Sequence, residues 1–227
     1  MAGKLSSYRY EELSNKLDVA GYNPLDVMLA GSTGAGKSTF INSLFGHPVA
    51  KVGTGVDPET QSIECYELND HFRIWDTPGL GDGIEVDEKH KSAIAGLLNR
   101  TWETGLGTWE FIDLVLFVIE GANRNLGTCL SLLNEVIFQK IPPQRVLIVV
   151  NQADIAMKGR HWNKWNNTPN IELQKYHIEQ AQSIKQRIEE SVGKHINTPI
   201  CFSAEYGYNM EKVYDLIIDR IPPKRKI

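Results

Sequence analysis

The segment LAGSTGAGKSTFINSLFG, residues 29–46, constrains the fold of this chain more than any other part of the sequence. It begins with apolar residues typical of a strand, passes through a run of glycines and ends in a pattern typical of a helix. Within it, Gly31-x-x-x-x-Gly36-Lys37-Ser38 has the spacing of a loop that wraps a phosphate chain. Glycine allows such a loop to turn tightly and to point successive N–H groups at one anion. The segment therefore predicts a nucleoside triphosphate site between a strand and a helix.

Individual residues of this loop have predicted roles. The Lys37 ammonium would supply a full charge to the outer phosphates, and the Ser38 hydroxyl would be a ligand of Mg²⁺. A helix that begins near Gly36 adds the positive end of its dipole. Thr39 is expected to bind through its backbone N–H. The predicted nucleotide-binding residues of the loop are Gly31, Ser32, Thr33, Gly34, Ala35, Gly36, Lys37, Ser38 and Thr39.

Hydrophobic runs and helical patterns alternate along the rest of the chain. The predicted strands are 25–30, 63–68, 72–75, 112–119, 145–150 and 199–202, and the predicted helices are 37–45, 86–100, 127–138, 170–192 and 209–220. This order predicts an α/β fold, a three-layer sandwich in which helices cover both faces of a six-stranded, mostly parallel sheet. The strands 63–68 and 72–76 are joined by the short turn 69–71, so this pair is expected to form an antiparallel hairpin.

Composition excludes several other classes of protein. The formal net charge of the 227 residues is −4, so the chain as a whole is not an electrostatic binder of nucleic acid. Its longest apolar run, 114–119, is too short to span a bilayer, and the first residues do not resemble a signal peptide. The cysteines, which have no metal-binding spacing, are expected to be buried thiols in a reducing compartment. We therefore predict a cytoplasmic protein without a transmembrane segment.

The segment FRIWDTPGLGDG, 72–83, is an apolar strand that breaks into an acidic, glycine-rich loop. Asp76 stands at the strand end, where a carboxylate can hold Mg²⁺ through a water or through Ser38. Gly79 offers a backbone N–H to a γ-phosphate, and the neighbouring glycines suit a loop that is reshaped on hydrolysis. The alternative is that residues 76–83 form an ordinary strand-to-loop turn without a function. The phosphate loop predicted earlier in the chain makes this alternative less favoured.

The segment RVLIVVNQAD, 145–154, ends a buried strand with Asn151-x-x-Asp154. A carboxylate here can accept from both N1–H and the exocyclic N2–H of guanine. Adenine has no such pair of donors, so Asp154 would discriminate GTP from ATP.

These segments resemble a P-loop GTPase of the TRAFAC class, in the Era-like branch with a Ras-like G domain, whose guanine motif is Asn-Lys-x-Asp. The matching segments are GSTGAGKSTFINSLFG, DTPG, NQAD and SAEYGYNMEKVYDLI, and they extend from about residue 25 to residue 220. The resemblance implies that Asn151, Gln152 and Asp154 contact the base and that the backbone of Ser203 and Ala204 meets the guanine O6. It divides the chain into an N-terminal helical extension (1–24), a G domain (25–222) and a basic tail (223–227). The basic cluster 224–226 is expected to be a short exposed tail, with contact to RNA or acidic lipid as the alternative.

The family also places a threonine between the first helix and the second strand, where it ligates Mg²⁺ and senses the γ-phosphate. Thr60 is favoured over Thr54 because it lies just before the second strand. The metal ligands predicted are therefore Ser38, Thr60 and Asp76, and the catalytic residues are Lys37, Gly79 and Thr60.

The chain departs from the family pattern at three positions. Gln152 replaces the lysine of the guanine motif, which removes a charge near the phosphate loop. Leu80 stands where Ras-like proteins carry a glutamine that orients the attacking water, and Gly34 stands where potassium-dependent members carry an asparagine. We therefore expect slow intrinsic hydrolysis that a partner or self-association accelerates. Catalytic bases in the loop are conceivable, but a solvated switch loop explains its polar residues equally well: Asp82, Glu85 and His90.

Three functions remain open at this point. The first is a GTP-hydrolysing switch that binds GTP and GDP with Mg²⁺. The second is an ATPase or small-molecule kinase, which leaves Asn151 and Asp154 unexplained. The third is a nucleotide-bound module that assembles on itself, as septin-like and immunity-related GTPases partly do. Expected partners are an unidentified protein or ribosome/RNA that reads the switch loops, and a nucleotide-dependent homodimer. The segment 158–170, which holds Trp162 and Trp165, could bind a partner, but packing against the adjacent helix is the alternative.

Overall fold

The computed structural model describes residues 5, 7–46, 63–104, 107–122 and 126–225. The strands are β1 (Leu25–Gly31), β2 (Glu64–Asn69), β3 (Phe72–Asp76), β4 (Thr101–Thr104), β5 (Gly107–Glu110), β6 (Leu114–Glu120), β7 (Val146–Asn151), β8 (Trp162–Asn163), β9 (Thr168–Pro169) and β10 (Ile200–Cys201). The helices are α1 (Tyr10–Ala20), α2 (Lys37–Phe45), α3 (Ile84–Leu98), α4 (Gly127–Leu132), α5 (Phe138–Lys140), α6 (Ile171–Val192) and α7 (Met210–Asp219).

Six strands form the central sheet in the spatial order β10-β7-β6-β1-β3-β2. β1 lies between β3 and β6 and is parallel to both, and β6 and β7 continue the parallel pairing. β2 runs antiparallel to β3, with Glu64 opposite Asp76. The predicted six-stranded, mostly parallel sheet with one antiparallel hairpin is confirmed.

Helices cover both faces of this sheet, as predicted. α3, α4 and α6 pack with the apolar side chains of one face, and α1, α2 and α7 pack with those of the other face. Because β1 and β7 are buried along their whole length, their sequences are mostly apolar rather than alternating, apart from Asp26 in β1 and Asn151 at the end of β7. The carboxyl ends of the parallel strands meet at one edge, which is where ligands bind in sheets of this kind.

Three local features differ from the prediction. The helix predicted at 127–138 is longer, because a π-helical turn at Leu133–Ile137 joins α4 to α5. The hairpins β4–β5 and β8–β9 were not predicted. In β4–β5, Trp102 faces Trp109 across the strands, and such aromatic pairs stabilise antiparallel hairpins.

The described part of the predicted N-terminal extension contains α1, which packs directly on the domain. Leu13 and Leu17 of α1 are buried in the same hydrophobic cluster as α7. Arg9, which precedes α1, pairs with Asp215 of α7 at 2.8 Å. The helix is therefore part of the packed core rather than a separate arm.

The predicted basic tail differs from expectation at Arg225, whose side chain is only 6% exposed. Its guanidinium pairs with the buried carboxylates of Asp26 (2.8 Å) and Asp113 (2.9 Å). Arg73 also pairs with Asp26, at 2.8 Å. Buried charges require partners of opposite sign, and Asp26 and Asp113 explain why this arginine turns inward. Lys224 is exposed, as the prediction had it.

Candidate nucleotide-binding site

The phosphate loop connects the end of β1 to the start of α2. Gly36 occupies the N-cap of α2 with φ +83°, a conformation that favours glycine. A Cβ at this position would lie 2.3 Å from Nδ2 of Asn151. Both the turn and the close approach of the base motif therefore require glycine at residue 36.

The Lys37 side chain folds back over the loop. Its Nζ lies 3.2 Å from the carbonyl oxygen of Ser32 and 3.4 Å from that of Gly31. The residue is only 9% exposed, and this burial lowers the pKa of the ammonium, while the nearby Asp76 opposes the effect. The cation is thus held at the mouth of the loop, next to the backbone amides that would bind phosphate.

A cavity of ≈ 590 Å³ lies in front of the loop. Residues of the phosphate loop, the end of β3 and the base motif line it together: Thr33, Gly34, Gly36, Lys37, Ser38, Thr39, Glu64, Asp76, Thr77, Pro78, Gly79 and Gln152. The space is within the range of sites for small ligands and cofactors.

The side chains around Asp76 fit a divalent cation. Asp76 Oδ1 is buried without a hydrogen-bond partner, and burial raises the pKa of this carboxyl group to about 6, although Lys37 lowers it. A buried carboxylate oxygen without a donor is one that a hard cation can satisfy. Ser38 lines the same cavity. The third predicted ligand, Thr60, and the alternative Thr54 lie outside the described residues.

The loop after β3 lies directly on the phosphate loop. The carbonyl oxygen of Leu80 accepts a hydrogen bond from Thr33 N at 2.8 Å. A Cβ on Gly79 would lie 2.5 Å from that same nitrogen, so a side chain there would push the two loops apart. The Leu80 side chain is 1% exposed and packs in the core that also contains Ile94 of α3.

Polar residues that follow Leu80 hold this loop in place. Nδ1 of His90 lies 2.6 Å from the carbonyl oxygen of Gly79, and Thr33 Oγ1 donates to Asp82 at 2.8 Å. Glu85 is exposed on the first turn of α3. Of the three bases considered from the sequence, His90 and Asp82 therefore have structural contacts that account for them.

The base motif contacts the phosphate loop directly. Asn151 Nδ2 donates to the carbonyl oxygen of Ala35 at 2.9 Å, and Asn151 Oδ1 accepts from Ala204 N at 3.0 Å. Gln152, with φ +63°, donates from Nε2 to the carbonyl oxygen of Gly34 at 2.8 Å. The amide of Gln152 thus retains a contact with the phosphate loop without the charge of a lysine.

The remaining predicted base residues lie at the same edge of the sheet. Asp154 is 9% exposed and Ser203 is fully buried. Ser203 N donates to the carbonyl oxygen of Tyr208 at 3.0 Å, which closes the loop 203–208. The structure brings the predicted residues of the described segments together, while their individual contacts with a nucleotide stay predictions.

Three further residues contribute to the site in ways that the sequence analysis does not predict. Glu64 lines the phosphate cavity opposite Asp76. His177 of α6 supports the base motif, since its Nε2 lies 2.9 Å from the carbonyl oxygen of Ala153. Trp162 packs on Tyr206 of the loop 203–208, which we call the base loop, with ring centroids 5.7 Å apart. The contacts of His177 and Trp162 join distant parts of the chain, so local patterns could not reveal them, whereas the predicted hairpin already implies that Glu64 lies near Asp76.

Curated proteins with similar sequences are bacterial GTP-binding proteins. The chain is 27% identical over 139 residues to the probable GTP-binding protein EngB of Streptococcus thermophilus, which covers 61% of this chain and 65% of EngB. It is 28% identical over 179 residues to the tRNA modification GTPase MnmE of Histophilus somni, which covers 77% of this chain and 36% of MnmE. The matched region is thus less than two thirds of the length of either relative.

Solved structures share the fold. Toc33 from Arabidopsis thaliana, in complex with Mg²⁺ and GMPPNP, aligns with a TM-score of 0.62 at 17% identity and covers 96% of this chain and 92% of Toc33. Era in complex with MgGDPNP and a segment of 16S ribosomal RNA aligns with a TM-score of 0.55 at 17% identity, over 88% of this chain and 58% of Era.

Within the described parts of the chain, we find no helix with the length and apolar character that crossing a membrane requires. Residues 26–152, more than half of the chain, match the family described as 50S ribosome-binding GTPase. The chain therefore belongs to this family of P-loop GTPases.

Proposed function

We propose that this protein binds GTP with Mg²⁺ and hydrolyses it slowly to GDP and phosphate, acting as a nucleotide-dependent switch. One observation carries the proposal. The side chain of Asn151 contacts both the phosphate loop and the loop that contains Ala204, so the phosphate cavity and the base motif form a single site. Among the family's relatives, the EngB proteins support an EngB-like assignment more than a specifically Era-like one.

In this proposal the phosphate loop and Lys37 bind the β- and γ-phosphates. Residues 36–39 at the start of α2 line the cavity, where their backbone amides would bind phosphate, and the buried ammonium of Lys37 would stabilise charge that develops on the γ-phosphate oxygens. Ser38 and Asp76 would hold Mg²⁺, with Thr60 as the expected third ligand, and the ion would neutralise charge on the phosphates. Asp154 would accept from N1–H and N2–H of guanine, and the N–H of Ala204 would meet O6.

The slow turnover follows from Leu80. Its side chain is buried in the core, and leucine has no group that could orient a water for in-line attack. Gly79 could still offer its N–H to the γ-phosphate, and loss of that contact on hydrolysis would free the loop that lies on Thr33. A partner that supplies a polar group to this site would accelerate the reaction.

A second candidate is a self-assembling GTP-binding module, septin-like or immunity-related, in which hydrolysis is incidental. The burial of Leu80 favours this reading, because it leaves the usual water-positioning group missing. A dimerization-deficient mutant is known of the structurally similar Toc33, which supports testing a nucleotide-dependent homodimer. We further propose a cytoplasmic location and a partner, protein or ribosomal RNA, that reads the switch loops.

Calorimetric titration of the protein with GTP, GDP and ATP, each with and without Mg²⁺, tests the proposal. We expect GTP and GDP to bind with Mg²⁺-dependent affinity and ATP to bind far more weakly. Equal affinity for ATP and GTP would contradict the assignment of guanine as the bound base. Turnover measured against protein concentration then separates self-activation from dependence on an outside partner. A rate that rises with concentration would show self-activation, and a flat, very low rate that no added partner raises would favour the assembly module.

A further inference from the structure

The tryptophan hairpin, residues 158–169, projects from the domain between the base motif and α6. Its two short strands pair Trp162 with Pro169 and Asn163 with Thr168. Trp165, in the turn, is 99% exposed, the largest exposure of any large hydrophobic side chain in the described parts of the chain. Packing against the adjacent helix therefore does not explain this tryptophan, although Trp162 is half-buried.

Hydrogen bonds order the turn that carries Trp165. Trp165 N donates to Asn163 Oδ1 at 2.9 Å, and Thr168 Oγ1 donates to Asn166 Oδ1 at 2.7 Å. The first bond fixes the backbone at Trp165, and the second joins two side chains of the turn. A turn that is already ordered loses less conformational entropy when a partner covers it than a flexible one does.

The charge of the hairpin is opposite to that of the whole chain. Lys158, Arg160 and Lys164 are exposed, and the segment 158–169 contains no carboxylate. Nearby, Glu172 is paired with His161 at 2.9 Å. Three exposed cations and an exposed indole within one short segment, on a protein of net charge −4, form a local site for a polyanion.

We propose that the tryptophan hairpin binds single-stranded nucleic acid. The base of an unpaired nucleotide stacks on Trp165, and the neighbouring phosphates contact Lys158, Arg160 and Lys164. Aromatic stacking combined with cations along the backbone is the usual mode of binding single strands, because every base offers a π-face and every linkage carries a charge. This site is separate from the phosphate cavity and does not depend on the proposed function.

The chemistry of the turn favours a nucleic acid over an anionic membrane. Segments that insert into the membrane interface carry several apolar side chains on one face. Here Trp165 stands between Lys164 and Asn166, and Asn163 and Asn167 flank them. A single indole among amides would bury little area in lipid, whereas amide groups can hydrogen-bond the edges of bases.

Fluorescence anisotropy with labelled oligoribonucleotides of about twelve nucleotides at low salt tests the proposal. The intact protein should bind single strands more tightly than a duplex of the same length. Trp165→Ala should weaken binding roughly 5- to 150-fold, and Trp165→Phe, which keeps an aromatic face, should weaken it much less. Lys164→Glu should also weaken binding and reduce the dependence of affinity on salt.

Lys140→Glu is the matched control for charge. Lys140 is exposed on α5, and the neighbouring Phe138 accepts a hydrogen bond from Lys194, just beyond the C-terminal end of α6. The hairpin leads into the other end of this helix, about 33 Å away for 22 residues. The control should bind single strands as the unmodified protein does.

Three results would overturn the proposal. The first is absence of binding to any single strand at low salt, and the second is equal affinity for Trp165→Ala and the unmodified protein. The third is equal weakening by Lys164→Glu and Lys140→Glu, which would show that the protein attracts nucleic acid only through its overall charge and has no specific site.

Vesicles of anionic and neutral lipid serve as the competing probe. Binding to anionic vesicles that requires Trp165, without binding to oligonucleotides, would assign the hairpin to a lipid surface instead. Since Trp165 is fully exposed, the unfolding midpoint of its variants should match that of the unmodified protein.

Discussion

Asn151 Nδ2 lies 2.9 Å from the carbonyl oxygen of Ala35, across 116 residues of sequence, and its Oδ1 accepts from Ala204 N. One amide thus joins the phosphate loop to the base loop. We predict that Asn151→Ala lowers the free energy of unfolding by about 2–4 kcal/mol, because it leaves a buried donor and a buried acceptor without partners. Urea denaturation measures this loss. Exposed Asn134→Ala is the control, and an equal effect of both substitutions would refute the role of Asn151.

Gln152 stands where the family has lysine, yet its Nε2 still contacts the carbonyl oxygen of Gly34. Gln152→Ala should weaken GDP binding because the phosphate loop loses a contact that positions it, by at most the roughly 13-fold that one net hydrogen bond is worth. Gln152→Lys should keep the contact, restore a charge near the phosphates and bind GDP at least as tightly as the unmodified protein. Calorimetry measures both variants. Weaker binding by Gln152→Lys would mean that the neutral amide is required.

Trp162, at the base of the tryptophan hairpin, packs on both Tyr206 and Tyr208, with centroids 5.7 and 5.6 Å apart. Each such aromatic contact contributes about 0.5–1.5 kcal/mol beyond area burial. We predict that Trp162→Ala loosens the base loop and speeds the release of a fluorescent GDP analogue roughly 5- to 150-fold. Trp165→Ala, a change in the same hairpin that removes no packing, should leave the release rate unchanged. Equal release rates for all three proteins would show that the tryptophan hairpin does not affect nucleotide release.

Arg225 neutralises two carboxylates that are almost completely buried, Asp26 and Asp113. Removal of one partner from a buried charge pair costs about 3–5 kcal/mol, because the remaining charges lose their compensation. Arg225→Ala should therefore lower the free energy of unfolding by about that amount, as measured with urea. Lys224→Ala, at the exposed neighbour, should change it by less than about 0.5 kcal/mol. A small effect of Arg225→Ala would show that the charge network contributes little.

His177 should make stability depend on pH. Burial lowers the pKa of its imidazole, and the carbonyl oxygen of Ala153 can only accept, so the neutral ring carries its proton on Nε2. Nδ1 is buried without a partner, and a proton there would be an unsatisfied donor. Since the folded pKa lies below the unfolded value of about 6.5, the unfolded state binds more protons below that pH. The stability that neutral His177 contributes is therefore fully present above pH ~6.5, and it is lost as the pH falls toward the pKa of His177 in the folded protein.

The variant His177→Gln, which keeps a donor for Ala153, tests this dependence. Free energies of unfolding should be measured between about pH 7.5 and about pH 5.5 for both proteins. The unmodified protein should lose more stability on acidification than the variant. If the free energy of unfolding fell with pH equally in both proteins, His177 would not be a source of the pH dependence.

Local patterns were sufficient for the sheet and for much of the site. The strands β6 and β7 are apolar up to their last residue, β1 is apolar apart from Asp26, and glycine spacing identified the phosphate loop before α2. Contacts between distant segments were not predictable in this way. The inward turn of Arg225 depends on Asp26 and Asp113, which no sequence pattern links to it. The hairpin β4–β5 is different, since the alternating segments TWET and GTWE, only two residues apart, are a recognisable hairpin signal in the sequence. The role of Thr60 as a ligand of Mg²⁺ stays a prediction.

The nucleotide specificity of Asp154→Asn tests the central claim most directly. A carboxylate that accepts from N1–H and N2–H of guanine becomes, as an amide, a donor that suits the 2-oxo group of xanthine. Calorimetric titration of both proteins with GDP and xanthosine diphosphate should show GDP affinity falling by a factor of 10 or more, since hydrogen bonds to a charged group contribute about 1.5–3 kcal/mol each. Xanthosine diphosphate should then bind the variant more tightly than GDP does. Unchanged GDP affinity in Asp154→Asn would contradict the guanine site.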